Sequence, residues 1–118
     1  MKKIELTING ITYTARFGLG FLEQVTTKEG ISIEDVFQKI QSNGLFFIPT
    51  LIWHSINYGL LRDGKDPIEK NVVLDWLDEV GIGTPEVTKF AEALGESIMI
   101  HVPQDAAKAV GKPKAKKP

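Results

Sequence analysis

The sequence predicts a mostly helical α+β fold: an N-terminal β-hairpin, about five short helices and a disordered basic C-terminal tail. Three observations predict it. Asn9-Gly10 separates two alternating runs, Ile4 to Ile8 and Ile11 to Thr14, and Asn-Gly between such runs is the strongest short-range hairpin cue. Apolar residues then recur at helical spacing between capping residues and glycines as far as about residue 102. From Pro103 to Pro118 the composition shifts to Lys, Pro and Ala, which cannot bury an apolar face. One globular domain over 1–102 is expected, with the hairpin in 1–17, the helices in 18–102 and a flexible tail over 103–118.

Each element has its own signal. After the hairpin, Phe17-Gly18-Leu19-Gly20 reads as a tight strand-to-helix turn, and Gly30 is a plausible stop for the first helix. Ser32-Ile33-Glu34-Asp35 opens the second helix, because Ser32 can cap and Asp35 can reach back. Val36, Phe37 and Ile40 form its inward stripe, and Ser42-Asn43-Gly44 ends it. The third helix covers 45–61, with Pro49 expected in its first turn, where a missing N–H costs little. Asp66-Pro67-Ile68-Glu69 reads as N-cap, N1 proline and N3 glutamate of a fourth helix, which ends at Gly81. Thr84-Pro85 repeats the device for a fifth helix carrying Val87, Phe90, Ala91, Leu94 and Ile98 on one face and reaching about residue 99.

The third helix carries two apolar arcs at 3.6 residues per turn. Leu45, Ile48, Ile52, Trp53, Ile56 and Leu60 share one. Phe47, Leu51, Tyr58 and Leu61 share a second, centred near His54. A helix apolar on both sides is either central in its fold or keeps one face for a partner. The second arc, with His54 beside it, is the candidate partner surface.

Composition excludes several classes. With no cysteine there is no disulfide, thiolate zinc site or cysteine nucleophile. Met1-Lys2-Lys3-Ile4 lacks the apolar stretch of a signal peptide, and the longest apolar run is too short to span a bilayer. The net charge of −1 conceals an asymmetry. Residues 1–107 hold fifteen acidic against nine basic residues, and five lysines lie between Lys108 and Lys117. An acidic body argues against a specific nucleic-acid partner.

No catalytic constellation stands out, so the chain is read as a non-enzyme without metal or cofactor. His54 and His101 are the only histidines, and His54 and Ser55, adjacent on a helix, do not face each other. Only a pocket pairing His54 with a carboxylate distant in sequence would revive an enzymatic reading. Asp75, Asp78 and Glu79 read as a solvated acidic face rather than a cation site. Gly18-Leu19-Gly20 lacks the Lys-Ser/Thr of a phosphate loop and leads into apolar Phe21 and Leu22.

The order hairpin, Arg16-Phe17-Gly18-Leu19-Gly20-Phe21-Leu22-Glu23, then short helices resembles the tail assembly chaperones of long-tailed, siphovirus-type bacteriophages of Gram-positive hosts. The resemblance covers residues 3–100 as an order of elements and is concentrated in 16–23. It implies a protein that binds and solubilises the helical tape measure protein in the host cytoplasm, recruits tail tube protein, and leaves before the virion is complete. It also implies a second, frameshift-extended product. Gly111 and Lys112, written after Val110, are compatible with a slippery heptamer, and Lys116-Lys117 requires an A-rich message. The competing reading is a small virion structural or adaptor protein that uses the same apolar surfaces in a permanent assembly, including a homo-oligomer.

Overall fold

The computed structural model describes residues 3–101, without the side chains of the last three. The 103–118 tail, with Gly111, Lys112, Lys116 and Lys117, lies outside the described residues, as does the side chain of His101. Within them the chain is α+β and mostly helical, with the order β1 (Lys3–Ile8), β2 (Ile11–Arg16), α1 (Leu19–Glu29), α2 (Ile33–Arg62), α3 (Lys70–Val80) and α4 (Pro85–His101).

β1 and β2 pair antiparallel, with Ile8 opposite Ile11 and Lys3 opposite Arg16. Asn9 (φ 54°) and Gly10 (φ 81°) both take positive φ, as a two-residue turn matched to strand twist requires. Leu6, Ile8 and Ala15 face inward, while Lys3, Glu5 and Thr7 face water. Phe17 leaves the hairpin into the core. Its ring meets Phe21 of α1 edge-on at 5.4 Å and Phe90 of α4 at 5.3 Å, geometries favoured by the ring quadrupole.

Several sequence signals operate as expected. Ser32 and Asp35 form a reciprocal capping box at the start of α2. Gly30 closes α1 in the left-handed conformation. Thr84 accepts a bond from the Val87 N–H and caps α4 ahead of Pro85.

Four expectations change. The second and third predicted helices run on as one, α2, with Asn43 as the single residue of non-helical φ/ψ inside it (φ −146°, ψ 35°). Ser42-Asn43-Gly44 therefore bends the chain instead of ending a helix. Pro49 lies well inside α2 rather than in a first turn, so the Leu45 carbonyl lacks its usual N–H partner. Residues 66–69 are not helical and α3 begins only at Lys70. The Ile68 N–H is taken by the Asn57 side chain, and its carbonyl by the Trp53 and Asn57 side chains, which removes the groups a helix would use. Finally, α4 continues through His101, with Ala93 rather than Ala91 turned inward.

α2 is the axis of the molecule. Between Phe47 and Gly59 its residues are buried on every side, apart from the half-buried Ile48, Trp53 and Asn57. Two glycines permit this enclosure. A Cβ on Gly59 would overlap the Thr14 carbonyl of β2, and one on Gly20 would overlap the Tyr58 ring, so strand and helix backbones pack where no side chain fits.

Candidate functional site

The enclosure of α2 corrects the expected partner surface. Phe47, Leu51 and Tyr58 are core residues, and of that arc only Leu61 is exposed, at 66%. The choice left open by two apolar arcs resolves to a central helix. What α2 presents outward, among its large apolar residues, is a pair beside the bend and one residue at its C-terminal end. At the bend, Leu45 (58% exposed) and Phe46 (72% exposed) stand side by side in solvent. At the C-terminal end stands Leu61. The run Leu45-Phe46-Phe47-Ile48 sweeps most of the way round a helix, so its residues cannot all share one inward face. That signal was available in the sequence.

His54 is 2% exposed, and its Nε2 lies 2.7 Å from Oε2 of Glu29, the last residue of α1. Its ring lies against that of Trp53, centroids 4.7 Å apart and planes tilted by 35°. The Gln24 side chain donates to the His54 carbonyl, so α1 grips α2 at two adjacent points. Sequence spacing gave no sign of the pair, because its members are 25 residues apart.

This pair borders a cavity of about 410 Å³ between the C-terminal half of α1, α2 and the 65–69 segment. Trp53, Leu61, Pro67 and Ile68 supply apolar walls, and Lys28, Lys65 and Glu69 carry charge around them. The indole N–H of Trp53 donates to the Ile68 carbonyl at 2.8 Å. Asn57 binds the same residue through both amide atoms. Most polar groups of the floor are thus committed to holding the 65–69 segment against α2.

The cavity meets the condition that would revive catalysis, a histidine paired with a distant carboxylate. The Ser55 hydroxyl is fully buried and donates to the Ile52 carbonyl at 2.7 Å. Among the described residues no three His, Asp or Glu side chains are placed to hold a metal ion. Asp75, Asp78 and Glu79 are all exposed. Gly18 makes the strand-to-helix turn as the residue before α1, and Leu19 and Gly20 already belong to the helix, with Leu19 in solvent and Phe21 and Leu22 buried. No described helix is long and apolar enough to cross a membrane.

At 3.6 residues per turn, Phe46, Thr50, Trp53, Asn57 and Leu61 fall within an arc of about 80° on α2. The exposed Phe46 and the cavity are therefore on one side of the same helix. Comparisons with family models, curated proteins and solved structures return no match for this chain.

Proposed function

We propose that this protein is a non-catalytic assembly chaperone that holds the tape measure protein of a siphovirus-type tail in soluble form in the host cytoplasm. Two supports are independent of each other: the likeness of residues 16–23 and their flanking elements to tail assembly chaperones, and the exposed apolar residues of α2. The observation that carries the reading is the exposed pair Leu45 and Phe46 at the α2 bend. Scattered surface hydrophobics are ordinary, but two large adjacent ones beside a helix bend form a small sticky spot.

Its size suits reversible holding. Burying a Leu and a Phe contributes roughly 3–6 kcal/mol together, using about 1.5–3 for each. Association costs about 4–15 kcal/mol, so one copy binds weakly and many copies along a long client bind well. An acidic body keeps such a coat dispersed. Recruitment of tail tube protein, absence from the virion and a frameshift-extended form belong to the same proposal. The message tests the last: a slippery heptamer near the codons for Val110, Gly111 and Lys112, followed by an open −1 frame, is expected.

The experiment is co-expression with the cognate tape measure protein. The parent chain keeps the client in the soluble fraction, and Phe46→Asp sends it to the pellet while the variant itself stays folded. A Phe46→Asp variant that protects the client as well as the parent overturns the reading. Purified virions that contain the short form in stoichiometric amount would instead establish the adaptor alternative.

A further inference from the structure

We infer that the cavity beside Trp53 seats one large apolar side chain of a partner helix whose neighbouring turns carry carboxylates. This rests on the chaperone reading and adds the chemistry of the segment that is held. Two observations converge. The walls are apolar, formed by Trp53, Leu61, Pro67 and Ile68, and 410 Å³ admits a leucine or an aromatic ring with room to spare. Lys28 and Lys65 border it, and neither makes an ion pair among the described residues, whereas Glu69 is the only unpaired acid lining it. Among the lining side chains this leaves two lysines against one carboxylate, a rim that favours an acidic partner over a basic one.

Other occupants fit less well. A small polar substrate would find few orienting groups, because the Trp53 indole, the Asn57 amide and the Gln24 amide are already bonded within the protein. The chain's own segment beyond residue 107 carries five lysines, which Lys28 and Lys65 repel.

The test uses the full chain, labelled with ¹⁵N, and three synthetic helix-forming peptides. One carries leucines on a single face flanked by glutamates. The second replaces each glutamate by lysine, and the third replaces each leucine by serine. The first peptide alone is expected to shift the Trp53 indole resonance and the Lys28, Leu61 and Lys65 amides saturably. The double variant Lys28→Glu/Lys65→Glu should weaken it by roughly tenfold at low ionic strength, less in high salt, and should gain affinity for the lysine peptide. Equal response to the first two peptides, shifts away from the cavity, or no binding at all overturns the inference. So does a Trp53 signal that moves on dilution of the protein alone, which would make a second copy the occupant. If the peptides fail while Phe46→Asp still costs client solubility, only the cavity assignment falls. If Phe46→Asp protects the client fully, the chaperone reading falls, whatever the peptides do.

Discussion

Gly59, Gly20, Glu29 and Leu51 each bear on how tightly α2 is held. Gly59 touches the Thr14 carbonyl, a backbone atom that cannot swing aside, so Gly59→Ala should cost about 2–3 kcal/mol in denaturant unfolding. Gly20→Ala should cost less, because Tyr58 is a side chain and can shift. Removing the carboxylate in Glu29→Ala leaves the buried His54 Nε2 without its partner and should cost about 1–3 kcal/mol. In a His54→Leu background the same change should cost under about 0.5 kcal/mol, because the interaction is already gone. Leu51→Asp places a charge in the core and should cost more than about 4 kcal/mol, so loss of client binding by that variant would report unfolding. The Glu29–His54 pair and the two close glycine contacts were illegible in the sequence for one reason. Each joins residues distant along the chain, and local pattern carries no information about such meetings.

At the level of elements, the sequence was legible where a boundary is set by chemistry within four residues. Asn9-Gly10 made the hairpin, Ser32 with Asp35 opened α2, and Thr84-Pro85 opened α4. It was misleading where a tertiary contact overrides local preference. Asp66-Pro67 has the form of a helix start, yet Asn57 and Trp53 capture the Ile68 backbone and delay α3 to Lys70. Ser42-Asn43-Gly44 has the form of a helix end, yet α2 resumes beyond it. α2 should accordingly open in parts. Amide exchange is expected to be slowest from about Leu51 to Tyr58, where the helix is enclosed. It should be much faster from Gly44 to Ile48, beside the bend and the proline that removes one helical N–H. Uniform protection along residues 44–58 would contradict the division of α2 into an enclosed segment and a looser bend.

Across the whole molecule, the two apolar arcs of α2 showed that it had more greasy surface than one neighbour could cover. They did not show that β2, α1 and α3 together cover it. The proposed partner surface is therefore not the Phe47, Leu51 and Tyr58 arc, which is buried, but the exposed Leu45, Phe46 and Leu61. This relocation strengthens the separation of folding from binding, because the exposed residues can be changed without opening the core. Phe46→Asp should alter unfolding free energy by no more than about 0.5 kcal/mol. The most direct measurement is site-specific photo-crosslinking in infected cells, with a benzophenone amino acid at position 46 and, as control, at the exposed Glu34 in the first turn of α2. The account predicts a tape measure adduct from position 46 before tails are complete and little from position 34. No tape measure adduct from position 46, or equal yields from both positions, would contradict it.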